Sequence, residues 1–183
     1  MTIDFQSLPL SPATLQALQA MSYVQATPVQ KDSIPAALNG QDLMVQSQTG
    51  TGKTAAFAIP VIEQLSQQKK IKNGSVLILA PTRELARQVK QEVERLISFH
   101  QLKVTAIYGG VSFDDQVQEI KNSHILVGTP GRIVDHIKRK TLSLKNIRHF
   151  VLDEVDEMLS MGFAEDLDFV TKKLPEDRQT LFF

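Results

Sequence analysis

Six short apolar runs, separated by longer amphipathic stretches, constrain the fold of this chain more than any other feature. They are "DLMVQS" (42–47), "SVLILA" (75–80), "KVTAIY" (103–108), "HILVG" (124–128), "HFVLD" (149–153) and "TLFF" (180–183). Near-continuous apolar runs mark strands buried on both faces, and the spacing leaves room for crossover helices between them. The expected fold class is α/β, a mostly parallel sheet with helices on both faces. The 183 residues suffice for one such domain and its core, and fall short of two ordinary ones. The first forty residues read as a helical cap, with Ser11-Pro12 opening one helix and Thr27-Pro28 another. The polar stretch "LSQQKKIKNG" (65–74) reads as a surface loop. The last run stops inside an apolar strand with neither turn nor cap, which predicts a piece of a longer protein.

Between the first strand and the helix after it lies "SQTGTGKT", residues 47–54. The phosphate-loop pattern is G-x-x-x-x-G-K-[ST]: backbone N–H groups wrap phosphates, the lysine reaches the outer ones, and the hydroxyl meets Mg²⁺. Gly52, Lys53 and Thr54 satisfy its second half. Ser47 stands where the pattern has glycine, and a small side chain is tolerated there if φ stays negative. "VLDEVD" (151–156) puts Asp153 and Glu154 at the end of a strand, where ligands of open α/β sheets bind. The first acid suits a Mg²⁺ ligand. The second suits orientation and deprotonation of an attacking water, a role a kinase would not need. An acidic first helical turn is the bland alternative.

"PTREL" (81–85) and "TPGR" (129–132) each place an arginine, Arg83 or Arg132, in the first turn of a helix. Helix N-termini favour anions, so a cation there is mildly unfavourable unless something negative binds beside it. Two such sites after successive strands suggest one extended polyanion, held through its backbone; two solvated arginines are the alternative. Twenty Lys and Arg balance twenty Asp and Glu, so no global field attracts a polyanion and placed residues must hold it. Gly109-Gly110 also follows a strand and could admit a close backbone approach or simply turn the chain. "YVQATPVQ" (23–30) offers an aromatic ring and an amide: an aromatic can stack on a base, and Gln can pair with the N6 and N7 edge of adenine. A Gln early in a helix is more often merely solvated.

The order of Phe5, "SYVQATPVQ", "SQTGTGKT", "PTREL", "GG", "TPGR" and "DEVD" resembles the first RecA-like domain of a DEAD-box RNA helicase over essentially the whole chain, residues 1–183. The resemblance implies ATP as the nucleotide, with Phe5, Tyr23, Thr27 and Gln30 as the adenine-sensing motif within residues 1–31. It implies phosphate binding by Ser47, Gln48, Thr49, Gly50, Thr51, Gly52, Lys53 and Thr54, and Mg²⁺ held through Thr54 and Asp153. Lys53, Asp153 and Glu154 would form the catalytic set. Pro81, Thr82, Arg83, Gly110, Thr129, Gly131 and Arg132 would contact the RNA backbone. A second RecA-like domain would follow a Ser-Ala-Thr motif that this chain does not reach. In that family the first loop position is commonly a small residue, so Ser47 is ordinary. Two departures are Ser22 for a usual glycine, which matters if that position needs φ > 0, and Val155 for alanine, which alters packing at a strand-to-helix turn.

No cysteine is present, and His100, His124, His136 and His149 show no ligand spacing. A signal peptide and a membrane span are both absent from the pattern, so a soluble, cytoplasmic monomer is expected. An ATP-binding switch that controls a protein partner, and a DNA translocase, are the rival readings; the latter leaves "YVQATPVQ" with "PTREL" unaccounted for.

Overall fold

The computed structural model describes residues 3–48, 50–68 and 70–183. Strand β1 (Ile3–Asp4) is followed by helix α1 (Pro12–Ala20), strand β2 (Gln25–Ala26) and helix α2 (Pro28–Leu38). Both helices start as expected. The Ser11 hydroxyl accepts from the Thr14 N–H, and Thr27 forms a reciprocal capping box with Gln30, each with proline at the first turn. The antiparallel β1–β2 pair was not foreseen from the sequence: two residues per strand carry no readable periodicity. This cap is tied to the domain through Glu63, 2% exposed, whose carboxylate accepts from the Ser11 N–H at 3.1 Å and the Ser11 hydroxyl at 2.8 Å.

The remainder alternates as predicted: β3 (Leu43–Met44), α3 (Lys53–Ser66), β4 (Val76–Leu79), α4 (Arg83–Leu96), β5 (Val104–Ile107), α5 (Phe113–Asn122), β6 (Ile125–Gly128), α6 (Pro130–Lys138), β7 (His149–Leu152), α7 (Val155–Ser160), α8 (Ala164–Thr171) and β8 (Gln179–Phe182). All six anticipated strands lie in one sheet of order β3-β8-β7-β4-β6-β5, and every neighbouring pair is parallel. From β3 the chain winds outward through β4 to β5 and turns back after β5 through β6, β7 and β8, so the neighbouring strands β4 and β7 send their crossovers in opposite directions. Ligands of open parallel sheets bind outside the carboxyl ends of strands at such a switch point.

The pleat divides the core. Val76, Ile78, Ile125, Val127 and Val151 meet α2, α3 and α4 on one face. Leu77, Leu79, Leu126, Phe150 and Leu152 meet α6, α7 and α8 on the other. Helix α3 is enclosed on nearly every side, with Phe57, Ile59 and Ile62 at most 1% exposed. That rigid helix carries the phosphate loop at its N-terminus. Val155 packs against the second cluster, so the larger residue in place of alanine is accommodated.

Candidate functional site

Between β3 and α3 the chain makes two left-handed turns, at Gly50 (φ +78°) and Gly52 (φ +89°). Gly52 caps α3, and a Cβ there would lie 2.4 Å from Gln30 Nε2, so only glycine fits. Ser47 is absent from the positive-φ residues, which meets the condition under which serine can replace the first glycine. The Thr51 hydroxyl donates to the Gln48 carbonyl at 2.8 Å, so Ser47 Oγ, 3.2 Å away, donates to Thr51. Thr49 lies outside the described residues. Lys53 and Thr54 form the first turn of α3, where the helix dipole and free N–H groups favour an anion.

Asp153 ends β7, with its N–H bonded to the Leu79 carbonyl at 2.9 Å; the Glu154 N–H bonds the Phe183 carbonyl at 2.8 Å. Glu154 adopts φ +56° and caps α7. Asp153 is 3% exposed, and its Oδ1 has no hydrogen-bond partner among the described residues. Burial pushes its carboxyl up to about 6, with Lys53 opposing and Glu154 adding to the rise. Lys53 Nζ lies 3.7 Å from Glu154 Oε1. These groups share a cleft of about 520 Å³ with Tyr23 and, on α4, Gln88 and Glu92. Among the described residues no cluster of three His, Cys, Asp or Glu side chains converges on a metal position.

The adenine-sensing candidates line a connected recess of about 470 Å³ that includes Ser22, Tyr23, Thr27, Gln30 and Gly52. Gln30 is 3% exposed, which overturns the bland expectation of a solvated amide. Its Oε1 accepts from the Thr27 N–H at 2.9 Å and its Nε2 donates to the Gly52 carbonyl at 3.0 Å. One N–H and one lone pair of the amide remain for a ligand. The Tyr23 hydroxyl donates to Glu92 at 2.8 Å, and burial followed by that bond raises its pKa. Phe5 is 2% exposed and belongs to the core under this recess. Ser22 has φ +58°, so the departure from glycine does fall on a left-handed position. It ends α1 in a Schellman turn: the Tyr23 N–H bonds the Leu18 carbonyl and the Ser22 N–H the Gln19 carbonyl.

"PTREL", "GG" and "TPGR" converge on a third recess of about 500 Å³, lined by Pro81, Thr82, Arg83, Gly109, Thr129, Gly131 and Arg132. Arg83 opens α4, with Thr82 as its cap, and lies over the glycine pair. A Cβ on Gly110 would come 2.3 Å from Arg83 Nη1, so the close approach at this turn is by an arginine side chain. Arg132 donates from Nε to Gln116 Oε1 at 3.0 Å and from Nη2 to the Val111 carbonyl at 2.9 Å. Sequence reasoning missed Gln116, Glu92, Met161 and Phe163, which line these recesses or hold the residues that do. Gln116 had a signal: it shares a helical stripe with Phe113 and Ile120, and a polar residue in an apolar stripe needs a partner.

The sequence pattern of the family described as "DEAD/DEAH box helicase" matches residues 27–183. The protein is 47% identical over 180 residues to the DEAD-box ATP-dependent RNA helicase CshA of Bacillus cereus, an alignment covering 98% of this chain and 34% of that relative. It is 46% identical over 182 residues to the helicase of the same name from Geobacillus kaustophilus, covering 98% of this chain and 38% of that one. The crystal structure of a DEAD box protein from the hyperthermophile Methanococcus jannaschii superposes with a TM-score of 0.93 at 43% identity, covering all of this chain and 50% of that one. The chain thus spans about a third of the length of the curated relatives it matches. The chain belongs to the DEAD/DEAH box helicase family.

Proposed function

We propose that this chain is the nucleotide-binding half of an ATP-dependent RNA helicase that works with a second RecA-like domain. One observation carries the reading. The first turn of α4 is a shared wall, in which Thr82 and Glu84 line both the cleft beside Lys53 and Asp153 and the recess beside Arg83 and Arg132. A nucleotide and a polyanion bound in the two would each press on the same turn, which gives a physical route by which one senses the other.

In this reading Ser47 through Thr54 cradle the phosphates of ATP, Tyr23 stacks on adenine, and Gln30 offers its remaining N–H and lone pair to the base edge, with Phe5 and Thr27 supporting them. Asp153 and Thr54 would hold Mg²⁺, which would supply positive charge against that of the phosphates. Asp153 Oδ1 fits that role, since a buried carboxylate oxygen without a donor is left for a cation. Incoming phosphate competes with Glu154 for Lys53, so nucleotide binding frees Glu154 to orient water. Pro81, Thr82, Arg83, Gly110, Thr129, Gly131 and Arg132 follow an RNA backbone without reading its sequence. The same reading takes the chain as a cytoplasmic monomer; among the described residues no helix is long and apolar enough to cross a membrane.

The test is phosphate release by this chain, alone and joined to a second RecA-like domain, with and without single-stranded RNA. The chain alone is expected to bind ATP and hydrolyse it negligibly. Arg83 and Arg132 are committed to the other recess, and loss of an arginine finger costs about a thousandfold or more in other nucleotide hydrolases. RNA should stimulate the two-domain form. Turnover indifferent to RNA there would favour the switch reading, and RNA-stimulated turnover by the chain alone would place the finger within it.

A further inference from the structure

Arg132 is held along one edge. Its Nε–H donates to Gln116 Oε1 at 3.0 Å, and Nη2 donates to the Val111 carbonyl at 2.9 Å. Nε and Nη2 form the side edge of the guanidinium, so the end fork, made by Nη1 and the second Nη2 hydrogen, is left unused by these two acceptors. An arginine side chain loses up to about 2 kcal/mol of rotamer entropy when it is immobilised, and here folding has already imposed most of that loss.

The acceptor is itself over-determined. Gln116 is 3% exposed, and its Nε2 donates to the Tyr108 carbonyl at 2.8 Å, which settles which end of the amide faces Arg132. The same Oε1 lies 3.0 Å from His136 Nε2. Burial, then the charge of Arg132, hold His136 well below its ordinary range, at about 4, so the ring is neutral. Because Oε1 only accepts, Nε2 carries the hydrogen, and Nδ1 receives the Thr141 hydroxyl at 2.9 Å. The Phe113 ring stacks on His136 at 4.1 Å, with the Arg132 Cζ 4.8 Å from its centroid. Neither Gln116 nor His136 can turn without breaking a hydrogen bond to another member of the cluster.

We propose that Gln116 is a positioning residue for polyanion binding: by holding the Nε and Nη2 edge of Arg132, it aims the opposite fork at a phosphate in the recess beside Arg83 and Gly131. This rests on the reading of Arg132 as a phosphate contact. Gln116 acts through Arg132 and does not touch the polyanion.

The experiment measures binding of a fluorescent oligouridylate to this chain by anisotropy, from low salt upward, for the unmutated protein, Arg132→Ala, Gln116→Met and the double variant. Each single substitution should weaken binding about three- to tenfold and lower the salt slope by about one, and the double should be no weaker than either. ADP affinity should be unchanged in all of them, which separates lost positioning from lost folding. A merely structural Gln116 would leave the salt slope alone. If Arg132→Ala acts and a folded Gln116→Met does not, the inference is overturned while the phosphate role of Arg132 stands. If Arg132→Ala itself changes nothing, that role fails and the inference with it. Should Gln116→Met not fold, side-chain NMR of the unmutated chain decides. The Arg132 Nε–H signal, assigned by its loss in Arg132→Lys, should persist near neutral pH while that of exposed Arg139 exchanges away. Equal loss of both signals overturns the inference.

Discussion

Lys53 of the phosphate loop and Glu154 at the end of β7 lie 3.7 Å apart, with side chains 12% and 18% exposed. The ammonium that should greet a phosphate is therefore partly neutralised by the carboxylate that should orient water. Glu154→Gln should raise ATP affinity, since it frees Lys53 and removes a negative charge from a cleft that also holds Asp153. A partly screened pair of this kind predicts roughly a fivefold gain. Titration calorimetry measures it, and unchanged or weaker ATP binding would contradict the proposed competition. In the two-domain form the same variant should lose turnover by about a hundredfold or more as the water loses its base.

Gln30 links the recess to the loop, so Gln30→Ala should act twice. Losing a paired base edge costs about 1–3 kcal/mol of discrimination, and the preference for ADP over GDP should largely vanish. Losing the bonds to Thr27 and Gly52 should also destabilise the chain by about 1–2 kcal/mol without any ligand. Calorimetry with both diphosphates and urea denaturation report the two effects separately. Equal affinity for ADP and GDP in the unmutated chain would remove the adenine role, while the stability loss would remain.

Ser22 occupies φ +58° at the end of α1, a position that Gly162 fills at the end of α7 with φ +87°. Left-handed backbone costs a non-glycine residue about 1–2 kcal/mol, offset in part by the greater freedom of glycine in the unfolded chain. Ser22→Gly should therefore stabilise by roughly 0.5–1 kcal/mol in urea denaturation. A loss of stability would show that the serine makes a compensating interaction.

Two buried groups should pull the pH dependence of stability in opposite directions. Burial raises Asp153 from 3.8 to about 6, so its contribution is complete below about pH 4 and is lost as pH rises through 6. The shift corresponds to about 3 kcal/mol, and Asp153→Asn should gain that much on the unmutated chain between acid and neutral pH in the absence of Mg²⁺. His136 falls from 6.5 to about 4, so its contribution is present above pH 6.5 and is lost as pH falls toward 4. His136→Gln should gain on the unmutated chain over that acid limb by roughly 2 kcal/mol, less than the full shift implies because the ring's neighbours are polar. Denaturation at a series of pH values gives both differences, and a flat difference curve for either variant would show that the group is not buried as described.

What the sequence determined by itself was whatever local chemistry dictates. Near-continuous apolar runs specify strands because a sheet covered by helices on both faces buries successive residues alike, and all six were found in one parallel sheet within a residue or so of their expected ends, except β3, which is shorter. Ser11 and Thr27 announced helix starts because a cap bonds a backbone N–H only a few residues away. Gly52, Lys53 and Thr54 announced the phosphate loop, and the order of motifs announced the family.

Tertiary structure alone decided where the polar side chains are spent. Gln30 bonds a carbonyl 22 residues away, Tyr23 a carboxylate 69 away, and Arg132 an amide 16 away. No local rule contains those pairings, since each exists only because parallel crossovers bring distant segments to one edge of the sheet. The burial that raises Asp153 has the same origin: a strand end is open or enclosed according to what packs beside it. Residue types and spacing therefore named the groups that meet at the carboxyl edge, and the fold determined which of them are already bonded to one another and which atoms remain for a ligand.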